Sequence, residues 1–198
     1  MPHIQRLALT LLLVGVQAAF PQSPAQHMPA QHAIDVQHSV LTVRAFKTGL
    51  LSGFAHDHEI SAPISAGFVD DSATGKVDFK AEVSHMKVLD PRLDADKRAE
   101  VQQTMLGESV LDSKHFPEIH FTSTQVRRNG DGHWSVTGNL MLHGETHPVT
   151  AEVSRTKGHF TGSATLRQRQ FGIKPISIAG GTIKVKDQIM IEFDIVTK

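Results

Sequence analysis

Apolar and polar residues alternate with period two through much of this chain, and few architectures can absorb that pattern. Over residues 76–83 the apolar Val77, Phe79, Ala81 and Val83 interleave with Lys76, Asp78, Lys80 and Glu82. Successive side chains of a strand point to opposite faces, so this segment is expected to have one buried and one wet face. The pattern returns at Trp134, Val136, Leu140 and Leu142 with Gly138 in phase, and at Val149, Ala151 and Val153. It returns again at Phe160, Ala164 and Leu166 with Gly162 in phase, then at Ile189, Ile191, Phe193 and Ile195. Asn129-Gly130-Asp131-Gly132 and Gly144 mark hairpin turns. One stretch, residues 92–106, departs from the alternation. It is charged and rich in helix formers, with Val101, Met105 and Leu106 spaced for one helix or a pair of short turns.

Short antiparallel strands with one apolar face build either a sandwich or a closed barrel. The barrel is favoured here. Strands after Trp134 follow one another through short turns, and Gly138 and Gly162 sit inside strands, where tight coiling needs them. A single helical insertion is too little to cover a sheet face. A small barrel is either filled by its side chains or holds one ligand, and the period alone does not choose between these.

Residues 1–18 have the layout of a secretory signal: a basic start closing at Arg6, an apolar run from Leu7 to Val16, and compact residues before a cut after Ala18. The apolar run is shorter than the roughly 20 residues that a membrane-spanning helix needs. Residues 19–33, rich in Pro, Gln, Ala and His, read as a flexible leader, and 34–198 as one barrel domain. The chain is therefore expected to be exported to the periplasm. It has no cysteine, which excludes disulfides, thiolate chemistry and a lipidated N-terminal cysteine. Lys plus Arg equals Asp plus Glu, at 20 each, so no overall field recruits nucleic acid.

Several motifs together resemble the YceI-like family. They are Leu111-Asp112 with Phe116-Pro117-Glu118-Ile119-His120-Phe121-Thr122-Ser123, then Val136-Thr137-Gly138-Asn139-Leu140 followed by residues 143–149, then Phe171-Gly172-Ile173. Asp35 with His38-Ser39 resembles the family's opening motif, and the matches run in order across nearly all of 34–198. The resemblance implies a mainly β, antiparallel, lipocalin-like barrel with one short helical insertion. It further implies an apolar tunnel for a long-chain isoprenoid lipid or a quinone-like ligand, with no other cofactor and no catalytic residues. Such a protein is expected to be a monomer or homodimer that meets membranes only transiently. Two positions depart from the family pattern: Val101-Gln102-Gln103 replaces an Arg-Asp pair, and Gln168, between Arg167 and Arg169, stands where an arginine is usual.

On this reading the tunnel is lined by Leu41, Val43, Phe79, Val83, Phe121, Val136, Leu140, Phe160, Phe171, Ile189, Ile191 and Phe193. Arg167 and Arg169, placed on one strand face, are candidates for a headgroup, since the guanidinium fork suits phosphate. The chain also has 13 histidines, among them the pairs His56/His58 and His143/His147. Two histidines two apart on a strand share a face and could hold a metal, which is the rival reading; a catalytic zinc needs three protein ligands, and the sequence shows pairs. No nucleophile elbow, dinucleotide fingerprint or phosphate loop is present, so no enzyme class is indicated.

Overall fold

The computed structural model describes residues 31–49, 57–72 and 75–198. The expected signal segment, most of the leader and His56 lie outside the described residues. The strands are β1 (Gln31–Ala33), β2 (Val40–Thr48), β3 (His58–Ser61), β4 (Ile64–Asp70), β5 (Lys76–Glu82) and β6 (Lys87–Val88). A single α-helix, α1 (Ala95–Leu106), precedes β7 (Glu118–Gly130), β8 (His133–Leu142), β9 (Glu145–Thr156), β10 (His159–Arg167), β11 (Ser177–Ile178) and β12 (Ile183–Val196). Gln31–Ala33, expected in the leader, instead pair with β4, because backbone groups there complete a sheet edge.

All pairings are antiparallel, in the order β1-β4-β5-β7-β8-β9-β10-β12-β2-β3-β6, with β11 beside β12. β1 runs on into β2 through a turn at 35–39, and β3 into β4 through Ala62-Pro63. The β1-β4 pair at one end of the order and the β2-β3 pair near the other are therefore the same two chain segments, and the sheet curls round on itself into a barrel. Ile34 bridges Thr197, and Asp35 N–H donates to the Val196 carbonyl at 2.8 Å, tying the first turn to the last strand. The Asp-His-Ser motif builds that junction. The Asp35 carboxylate meets His38 Nδ1 at 2.8 Å, its carbonyl accepts Ser39 N–H at 2.9 Å, and Ser39 Oγ accepts Val196 N–H at 3.0 Å.

Short turns set the register of the meander from β7 to β12. His143-Gly144 (φ 52° and 77°) and Lys157-Gly158 (φ 50° and 87°) form two-residue turns with both residues left-handed, the type that matches strand twist. Inside the strands, glycine serves packing. The Phe193 ring lies over Gly162, its direct cross-strand partner, and the Phe121 ring over Gly138; in each case a Cβ would collide with the ring and with a neighbouring carbonyl.

α1 starts at Asp94, whose side chain accepts Lys97 N–H at 2.9 Å as an N-cap. Gln102, on its far turn, accepts Val88 N–H and donates to the Met86 carbonyl, both at 2.8 Å, so the amide splices the helix onto β6. Val101 and Met105 then face the barrel interior at its end.

The outer face carries a polar cluster at Asp78, which accepts from Thr122 Oγ1 at 2.6 Å and meets His120 Nε2 at 3.0 Å. Burial pushes the Asp78 carboxyl up, but these hydrogen bonds and the charges of His120 and Lys76 hold it below its ordinary 3.8. A carboxylate with a depressed folded-state pKa stabilises the fold above its unfolded value and loses that contribution as pH falls through the folded one. The unfolding temperature should therefore fall as pH is taken from about 5 to about 2. Thr122→Val, measured by circular dichroism across that range, should flatten the fall.

Candidate functional site

The inward faces of the strands do not fill the barrel. They enclose a cavity of about 580 Å³, within the range of small-molecule and cofactor sites. Leu41 and Val43 on β2, Phe79 on β5, Phe121 on β7, Val136 and Leu140 on β8, and Phe160 on β10 line it, as do Ile189, Ile191 and Phe193 on β12. Phe171, 1% exposed, closes the wall from a 3-10 turn after β10. Val83 is the exception among the expected lining residues. The chain leaves β5 at Glu82 and turns through Val83–His85, so Val83 packs into the core at 1% exposure without reaching the cavity.

The expected headgroup arginines are also displaced. β10 ends at Arg167, and Gln168–Phe171 form a 3-10 turn, so Arg167 and Arg169 do not share a strand face. Both are exposed, and the Arg169 guanidinium sits 4.0 Å from Asp187 outside the barrel. The turn follows from burying Phe171, and it carries Gln168 inward instead. Gln168 lines the cavity and donates from Nε2 to the Lys186 carbonyl at 2.8 Å.

Polar groups gather at the ends of the cavity. Lys47, His58, Gln168 and Lys184, with Lys97, Glu100 and Thr104 of α1, lie in the lining at the α1 end; Asp70, Asp71 and Ser72 lie in it at the other. Among these, His58 was legible as a histidine of interest, but its partner was not: Nδ1 is 2.6 Å from Oδ2 of Asp90, which follows β6. His143 and His147 serve packing, with His143 Nδ1 at 3.0 Å from the Phe171 carbonyl and the His147 ring edge-on to Phe171 at 5.2 Å. Among the described residues no three His, Asp or Glu side chains converge as a metal site.

An antiparallel sheet closed around an apolar cavity, with one helix at its end, defines a lipocalin-like barrel. A family profile described as a YceI-like domain matches residues 32–197, and the chain belongs to that family. It is 30% identical to a UPF0312 protein of Pseudomonas putida over 165 residues, which is 77% of this chain and 81% of the relative. A UPF0312 protein of Yersinia pestis is 42% identical over 89 residues, so the match spans less than half of either protein, 45% of this chain and 42% of that one. Burkholderia cenocepacia BcnA has a similar fold, with a TM-score of 0.63 at 18% identity, covering 83% of this chain and 99% of BcnA. So does a polyisoprenoid-binding domain from Saccharophagus degradans, at TM-score 0.56 and 11% identity, covering 86% of this chain and 99% of that domain.

Proposed function

We propose that this protein is a non-catalytic carrier that holds the tail of a long-chain isoprenoid lipid inside its barrel, in the periplasm after export. The observation that carries the reading is the cavity, whose wall is Val, Leu, Ile and Phe from the inward faces of the strands. An isoprene unit is pure hydrocarbon. At about 0.8 kcal/mol per buried CH₂-sized group, a five-carbon unit contributes roughly 4 kcal/mol before the costs of ordering the chain. A polar ligand would gain nothing from that wall and would lose its hydration. The polyisoprenoid-binding description of the Saccharophagus neighbour supports the same ligand class.

The test is mass spectrometry of the organic extract of the natively purified protein, joined to a titration. Trp134 is the only tryptophan, the chain has no tyrosine, and Trp134 lines the cavity beside Phe160, with ring centroids 6.5 Å apart. Adding a prenyl lipid to delipidated protein should shift Trp134 emission to the blue and saturate at one lipid per chain. No extracted lipid and no saturable shift would sink the carrier reading.

A further inference from the structure

One polar pair at the α1 end of the cavity is held differently from its neighbours. His58 lines the cavity, and its Nδ1 lies 2.6 Å from Asp90 Oδ2. The Asp90 side chain is only 3% exposed, and its other oxygen accepts the Glu59 backbone N–H at 2.7 Å. A carboxylate oxygen only accepts hydrogen bonds, so the shared proton sits on His58 Nδ1 and Nε2 is the ring's remaining hydrogen-bonding atom. Among the described residues Nε2 has no partner. Burying a carboxylate is costly, and the β3–β6 pairing already joins these strands through Ile60 and Val88. What Asp90 adds is a fixed tautomer and a fixed ring at the cavity wall.

We propose that His58, oriented by Asp90, is the headgroup residue of the cavity. Its Nε2 accepts a hydrogen bond from the hydroxyl of a long-chain alcohol or phenol. This rests on the lipid-carrier reading and names the chemical class of the ligand's polar end. As an acceptor, Nε2 rewards a donor, which a hydroxyl supplies and a fully ionised phosphate does not. The lining at this end carries Lys47, Lys97 and Lys184 with Glu100, and Lys97 lies 3.6 Å from the exposed Asp94. The tail then supplies affinity, and the one directional bond supplies orientation and selectivity.

The experiment compares geranylgeraniol with its methyl ether, which keeps the tail and the oxygen but cannot donate. Binding to delipidated protein is followed through Trp134. The wild type should bind the alcohol about tenfold more tightly than the ether, the worth of one hydrogen bond at a buried site. Asp90→Asn keeps the acceptor for Glu59 N–H, but its amide donates to Nδ1 and moves the ring proton to Nε2. That nitrogen then donates, alcohol and ether can both accept, and the ratio should fall to about one while ether binding persists. His58→Leu should also erase the preference and retain the ether; if that variant fails to fold, the wild-type and Asp90→Asn ratios decide alone. A wild-type ratio near one, or a ratio unchanged by Asp90→Asn, overturns the proposal and leaves the carrier reading standing, because the ether still binds. Tighter binding of geranylgeranyl phosphate than of the alcohol overturns it in favour of an anionic headgroup. If neither alcohol nor ether binds, the carrier reading fails and the proposal falls with it.

Discussion

Gly162→Val is expected to unfold the barrel or to destabilise it by about 3 kcal/mol, at the top of the range for overpacking a core. Gly162 sits in the middle of β10, between β9 and β12, directly opposite Phe193. A Cβ there would come 2.1 Å from the Glu152 carbonyl oxygen and 2.7 Å from the Phe193 ring. The ring could rotate away, but the carbonyl belongs to the neighbouring strand's backbone and is held in the sheet. Relief requires parting β9 from β10, which breaks hydrogen bonds along the wall. Chemical denaturation followed by circular dichroism measures the loss. A variant as stable as the wild type would show that the strands are further apart than described.

Ala164→Trp should have the opposite profile, with the fold kept and the ligand lost. Ala164 lies two residues further along the same strand, pairs with Ala151 and Ile191, and lines the cavity with both. Its side chain lines the cavity of about 580 Å³, so a larger one there takes up that space. An indole placed there occupies the path of a lipid tail and adds apolar surface to the wall. Affinity for a prenyl lipid should fall about a hundredfold. The unfolding temperature should stay within about 4 °C of the wild type, the shift of roughly 1 kcal/mol. Unchanged lipid binding in this variant would place the ligand somewhere other than the barrel interior. Ala164→Trp adds a second indole, so binding is best read by lipid co-elution or native mass spectrometry.

The inward faces of β5, β8, β9, β10 and β12 were readable from alternation alone, because the direction of a strand side chain depends only on its position along the strand. The helical insertion was readable for the same local reason, since residues 92–106 break the period. Extrapolating the period failed wherever a strand stopped. Val83 continues the alternation of β5, yet the chain turns at that residue. Arg167 and Arg169 have strand spacing, yet the burial of Phe171 bends the chain between them and sends Gln168 inward. Each of those turns is decided by packing against other strands, which no local period records.

Whether the barrel was filled or hollow was open in the sequence, since a filled core and a ligand cavity require the same apolar face. The pairing of β1 with β4 and of β2 with β3 and β12, together with the bridge from Ile34 to Thr197, joins residues up to 163 positions apart. His58 and Asp90 show the same division on a smaller scale. The histidine could be singled out by its type and neighbours, whereas its carboxylate stands 32 residues later, after β6. Side-chain direction is a property of the strand, and alternation encodes it. Which side chains share a cavity wall depends on chain closure and on the volume left after packing, and those exist only once distant segments have met.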